Sequence, residues 1–173
     1  MLPALSLVLG GAASGKSVFA ENLLLSSGLK PVYLATARAW DDETKSRIDV
    51  HKTRREGLFS TVEAPIDIAA ALAEREAGDA VLIDCATMWL TNLMMDEHPI
   101  DDAGEQLVAE ISAASVPVVL VSNEVGQGIV PDNAMSRQFR EAQGRLNIAM
   151  AAHANLVVQV VAGLPNVLKG ELP

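Results

Sequence analysis

Short apolar runs alternate along the chain with longer stretches whose apolar positions recur at helical spacing. Residues 4–9 (ALSLVL) are too few for a helix and predict a buried strand. A helix is predicted over 16–27, stopped by Gly28. Further strands are predicted at 31–36 (PVYLAT), 80–84 (AVLID), 117–122 (PVVLVS) and 156–161 (LVVQVV), with a shorter one at 60–63. Helical stretches separate them: an alanine-rich one at 66–77, a buried one at 87–95, a third at 103–114 and a long one at 134–153. Residues 96–102 and 123–133 read as loops. Segment 41–56 is strongly polar and opens with acids, which favour a helix N-terminus. This β-then-α order predicts an α/β fold, a mostly parallel sheet with helices on both faces. Ligands in such sheets bind beyond the carboxyl ends of the strands. No Gly/Ser/Pro-rich linker interrupts residues 1–173, so one catalytic domain is expected.

Composition sharpens this picture. Half of the 173 residues are apolar but only 3% are aromatic, so the core must be aliphatic. The net charge of −9 argues against nucleic-acid binding, which needs a basic surface, and means that an anionic ligand requires a dedicated local site. Cys85 is the only cysteine, so no intramolecular disulfide can form. No apolar run reaches the roughly 18 residues of a transmembrane helix, and the N-terminus lacks a basic leader. A cytoplasmic protein is expected.

One motif carries definite chemistry. Gly10-Gly11-Ala12-Ala13-Ser14-Gly15-Lys16-Ser17 matches G-x-x-x-x-G-K-[ST] in full, between a predicted strand and a predicted helix. Such a loop wraps a phosphate with backbone N–H groups, and its glycines permit the close approach. Lys16 then reaches the β/γ-phosphates, and the Ser17 hydroxyl can coordinate Mg²⁺. The fold expected is therefore of the P-loop NTPase type. A second acid for the metal is sought at the end of a neighbouring strand. Asp84, closing the run AVLID, occupies such a place, although from position alone it reads equally as a cap for the following helix.

The polar segment 41–56 has no apolar stripe wide enough for a core helix, and its plain reading is a solvated helix. It also contains His51 beside Lys52, Arg54 and Arg55, the only dense basic cluster of this acidic chain. Neighbouring cations favour neutral imidazole, whose free nitrogen can attack a phosphorus while arginines hold the leaving phosphates. His98 falls in a polar loop and His153 near a helix C-terminus, where structural roles suffice. The three histidines and one cysteine make no zinc pattern.

Taken in order, these blocks resemble the bifunctional adenosylcobinamide kinase / adenosylcobinamide-phosphate guanylyltransferase family of cobalamin biosynthesis, over roughly residues 5–169. The resemblance rests on Gly10 to Ser17; on Tyr33-Leu-Ala-Thr36 followed by Asp41-Asp42-Glu43; on Arg47-Ile-Asp-Val-His51-Lys52; on Thr61-Val-Glu63; on Leu82-Ile-Asp84-Cys85 with Thr91-Asn92-Leu93. The most specific block is Val121-Ser-Asn123-Glu124-Val125-Gly126-Gln-Gly128-Ile-Val-Pro131, followed by Arg137, Phe139, Arg140, Gly144, Arg145 and Asn147.

The resemblance implies a covalent GMP on His51, which here follows Val50 rather than a second histidine. It implies guanine-nucleotide contacts at Ala35, Thr36 and Ala37, at Lys52, Thr53, Arg54 and Arg55, and at Glu63 and Asp84. It also implies Mg²⁺ at Ser17 and Asp84, GTP and ATP as substrates, adenosylcobinamide and its phosphate as acceptors, and a homotrimer. Two other readings share the phosphate loop. One is a simple small-molecule kinase in which His51 is a surface residue. The other is a regulatory switch that responds to the γ-phosphate through the glycine-rich loop at 123–131.

Overall fold

The computed structural model describes residues 1–39 and 57–173. Seven strands are present: β1 (Leu5–Gly10), β2 (Lys30–Ala35), β3 (Ser60–Glu63), β4 (Asp79–Asp84), β5 (Val118–Asn123), β6 (Leu156–Val161) and β7 (Leu164–Lys169). Five helices accompany them among the described residues: α1 (Lys16–Leu25), α2 (Ile68–Ala73), α3 (Ala86–Met95), α4 (Ala103–Ser112) and α5 (Ala134–His153). The strands form one sheet in the order β3-β2-β4-β5-β1-β6-β7. All neighbours are parallel except β6 and β7, which form an antiparallel hairpin.

The central strands are apolar on both sides because both faces of the sheet are covered. Alternate residues go to opposite faces. Leu5, Leu7, Val32, Leu34, Val81, Ile83, Val118 and Leu120 point to one face, where α2, α3, α4 and α5 supply Ile68, Trp89, Leu107 and Leu146. Val8, Tyr33, Leu82, Val119, Val121 and Val158 point to the other, where α1 supplies Ala20, Leu23 and Leu24. Among the described residues Trp89 is the one fully buried large aromatic, and its indole N–H donates to the Ile66 carbonyl at 2.9 Å. Val, Leu, Ile and Ala make up nearly all of the remaining core.

Most boundaries fall within two residues of those expected from the sequence. Two elements differ. The helix expected over 66–77 spans only Ile68–Ala73; Asp67 sets its start by accepting from the Ala70 N–H at 2.9 Å. β7 was not expected at all: residues 162–173 carry no strand-like alternation, and Pro165 lies within the run. Every residue of β7 is exposed, and it is an edge strand, where proline is tolerated. Among the described residues no helix is long and apolar enough to cross a membrane.

Candidate functional site

The sheet places its chemistry along one edge. β1 runs into the phosphate loop at Gly10, and α1 begins at Lys16. Gly15 precedes the helix with φ of 92°, a left-handed conformation natural only to glycine. A Cβ on Gly15 would lie 3.1 Å from the Gly163 Cα. No side chain caps α1, so its first N–H groups remain available to an anion. The loop is held from both sides. The Glu124 N–H donates to the Gly10 carbonyl at 3.1 Å, and the Gly163 N–H donates to the Ser14 carbonyl at 2.8 Å. Lys16 folds back over the loop and donates to the Gly11 carbonyl at 3.1 Å. A cavity of about 440 Å³ opens beside it, lined by Gly11, Ala12, Ala13 and Ser14 together with Glu124 and Gln127.

The strand-end acids align with this loop. Register pairs Ala35 with both Glu63 and Asp84, and Asp84 with Val121, which in turn pairs with Val8. Glu63, Ala35, Asp84 and the start of the phosphate loop therefore share the carboxyl edge of the sheet. Asp84 stands two strands from β1, about 10 Å away at ordinary strand spacing, a gap that side chains, phosphates and a hydrated ion can fill. Its Oδ2 accepts from the Tyr33 hydroxyl at 3.0 Å. The neighbouring Cys85 thiol is pushed up to about 12, chiefly by burial and further by the Asp84 carboxylate, while Lys16 acts in the opposite sense. One buried sulfur thus feels both the lysine and the acid. Its protonated state also makes Cys85 chemically inert.

The other predicted residues divide. Ala35 and Ala37 are partly exposed at the end of β2. Thr36 between them is fully buried. Its hydroxyl donates to the Cys85 carbonyl and accepts from the Cys85 N–H, both at 2.8 Å, and its carbonyl accepts from Asn92 at 2.7 Å. The contact expected of Thr36 is thus closed to its side chain, which instead fixes the turn that carries Asp84. Glu63 opens onto a second cavity of about 400 Å³, lined also by Arg38, Asp67 and Glu74. His51, Lys52, Thr53, Arg54 and Arg55 lie outside the described residues. His98 and His153 are exposed, and His153 sits at the end of α5, before β6 and so at the opposite edge of the sheet.

Sequence reasoning gave no role to a buried polar group behind β5. The Ser122 hydroxyl donates to Asn147 Oδ1 at 2.6 Å, and Gln143 Nε2 donates to both, at 2.9 and 3.1 Å. Asn147 Nδ2 donates to the Asn123 carbonyl at 3.1 Å, and Thr87 Oγ1 accepts from the Asn123 N–H at 2.9 Å. Two helices thereby fix the point at which β5 hands over to Glu124. The matching sequence block contained Ser122, Asn123 and Asn147 but neither Gln143 nor Thr87, and polarity in a buried strand end signals a partner without naming it.

Comparison with known proteins agrees with this arrangement. Among solved structures, the flagellar accessory protein FlaH of Methanocaldococcus jannaschii superposes with a TM-score of 0.52 at 13% identity, covering 98% of this chain and 80% of that one. An ATPase of a bacterial type III secretion system gives 0.55 at 10% identity, over 96% of this chain and 57% of that one. These likenesses show the P-loop NTPase fold. Sequence similarity reaches further. The bifunctional adenosylcobalamin biosynthesis protein CobP of Pseudomonas aeruginosa is 45% identical over 95% of this chain and 97% of its own. The corresponding protein CobU of Salmonella typhimurium is 38% identical over 91% and 96%. The profile of cobinamide kinase / cobinamide phosphate guanyltransferase matches residues 6–168. The chain belongs to this family of bifunctional cobalamin-biosynthesis enzymes.

Proposed function

We propose that this chain phosphorylates the hydroxyl of the aminopropanol arm of adenosylcobinamide with a nucleoside triphosphate, and then transfers GMP from GTP to that phosphate through a histidine-linked intermediate on His51. The observation that carries the reading is that Asp84 and Glu63 lie at the same carboxyl edge of the sheet as the phosphate loop and Lys16, in a chain of this family. The loop N–H groups and Lys16 hold the polyphosphate, either as the donor of the γ-phosphoryl group or as the leaving pyrophosphate. Catalysis of both transfers is mostly positioning and charge neutralisation. Ala35, Ala37 and Glu63 flank the place for the guanine nucleotide, with Lys52, Thr53, Arg54 and Arg55 beside His51.

Magnesium suits the donor set. Ser17 offers a hydroxyl, and Asp84 keeps one carboxylate oxygen beyond the Tyr33 bond. Among the described residues no group of three or more His, Cys, Asp or Glu side chains surrounds a metal position. That matches an ion held by one or two protein oxygens together with substrate phosphates and water. When bound, Mg²⁺ supplies charge neutralisation on the phosphate oxygens.

In the guanylyl half, an imidazole nitrogen of His51 attacks the α-phosphorus of GTP and pyrophosphate leaves. An oxygen of cobinamide phosphate then attacks the same phosphorus and releases the histidine. Incubation with GTP labelled at its α-phosphate tests this directly. The wild type should take up one acid-labile GMP per chain, the His51→Ala variant none, and the His98 and His153 variants as much as wild type. Adduct formation by His51→Ala, or its absence from wild type, leaves the simple kinase in place of this reading. The enzyme acts as a homotrimer in the same proposal. Light scattering should give three times the chain mass, and a stable monomer at micromolar concentration contradicts it.

A further inference from the structure

We propose that Glu124 is the general base of the kinase step, taking the proton from the acceptor hydroxyl as its oxygen attacks the γ-phosphorus. This rests on the kinase reading above. Glu124 directly follows β5, the strand hydrogen-bonded to β1, and its N–H is bonded to the first residue of the phosphate loop. It lines the cavity beside that loop. One carboxylate oxygen, Oε1, accepts from the Gly126 N–H at 2.7 Å. Among the described residues no hydrogen bond or ion pair engages the other oxygen, Oε2, which leaves it for a ligand.

The support beneath Glu124 is rigid. Asn123 is held by Thr87 on one side and Asn147 on the other, and Arg140 Nη2 donates to the Gly126 carbonyl. A carboxylate fixed beside a polyphosphate site raises the cost of binding the anion, the more so in a chain of net charge −9. A bond to the Gly126 N–H occupies only one of its oxygens, so a negative group kept there can also serve a metal or a proton. Asp84 already provides the metal oxygen from β4, beyond β5, whereas Glu124 faces the cavity bordered by β6 residues Gln159 and Val160.

The step balances without any further reactant. The hydroxyl O–H bond breaks and its proton goes to Glu124. An O–P bond forms to the γ-phosphorus, and the bond from that phosphorus to the bridging oxygen breaks, its electron pair leaving on the nucleoside diphosphate. Glu124 returns the proton to solvent as product departs. Guanylyl transfer needs no such base, since an imidazole lone pair and a phosphate oxygen are the attacking groups. Loss of Glu124 should therefore separate the two activities.

The test is Glu124→Gln, whose side-chain oxygen still accepts from Gly126. Turnover of cobinamide to its phosphate should fall about 100-fold or more, within the range for loss of a general base, with little change in KM for the triphosphate. In the same preparation, GMP labelling of the protein should survive, which also reports that the fold is intact. Wild-type phosphorylation by Glu124→Gln overturns the proposal. So does parallel loss of both activities, or recovery of phosphorylation at raised Mg²⁺, which would make Glu124 a loop anchor or a metal ligand. A wild-type enzyme that never phosphorylates cobinamide would instead remove the kinase reading itself.

Discussion

The N–H of Gly163, in the turn between β6 and β7, donates to the carbonyl of Ser14 at 2.8 Å and ties the last hairpin of the sheet to the phosphate loop. The two backbones run so close that a side chain on Gly15 would press on Gly163, which would have to give by a few tenths of an ångström. Gly15→Ala adds that contact to an unfavourable left-handed φ, at about 1–2 kcal/mol. Nucleotide affinity should drop roughly tenfold. Calorimetry with GTP checks this, and an unchanged Kd would show that the loop adapts.

Lys16→Ala should separate activity from stability. Among the described residues the lysine makes one hydrogen bond, to its own loop, so its loss costs about 1 kcal/mol or less. Both transfers depend on its charge, and turnover should fall by about 100-fold. Thermal melts and product assays on one preparation decide it. Normal turnover in this variant would exclude the loop as the phosphate site.

How much of this was legible in the sequence depends on where the information is local. The long helix Ala134–His153 and the strand Leu156–Val161 came out with their full bounds; Asn133 caps the helix by accepting from the Ser136 N–H, and the strand is a nearly continuous apolar run. The phosphate loop was legible because its chemistry demands a fixed spacing. β7 was not, since it exists only by pairing with β6, and nothing in LPNVLK declares that partner. Thr36 shows the opposite failure. A threonine at a strand end beside a ligand site invites a contact, but its hydroxyl is spent on Cys85, 49 residues away in sequence. Glu124 stood in plain view within the most specific block, and only the cavity gives its carboxylate a task.

The polar group behind β5 offers a stability test. Asn147→Leu leaves the Asn123 carbonyl, Ser122 and Gln143 short of partners in a buried setting. The cost should be about 2–3 kcal/mol, read as a lower urea midpoint with an unchanged slope. Kinase turnover should fall more than stability alone accounts for, because Glu124 follows the strand end that Asn147 holds. Wild-type stability would mean that water replaces the amide.

Glu110 on α4 provides a pH-dependent case. One oxygen accepts from Gln106 at 2.9 Å, and Oε2 is buried. Burial pushes its carboxyl above the usual range and the Asp67 charge adds to this, while Gln106 and the Ala69 backbone N–H act in the opposite sense. A raised carboxyl favours folding while protonated, and that benefit is lost as pH rises through its folded value. Glu110→Gln should therefore stabilise the protein at neutral pH, by less than about 1 kcal/mol given partial solvent screening. The gain should vanish in acid. Melting curves across pH decide the matter, and a variant less stable than wild type at neutral pH contradicts it.

The strand order has a consequence for how the protein is made. β1 is translated well before β5 and β6, its partners among the described residues, which are encoded far downstream. Pairings so distant in sequence form slowly. The segment Gly10–Ser17 is synthesised well before its anchor at Gly163, and takes its final shape only once that anchor has been made. Nucleotide capture thereby reports a completed sheet: a nascent polypeptide stalled before β6 carries the entire phosphate motif without the strand and turn that hold it.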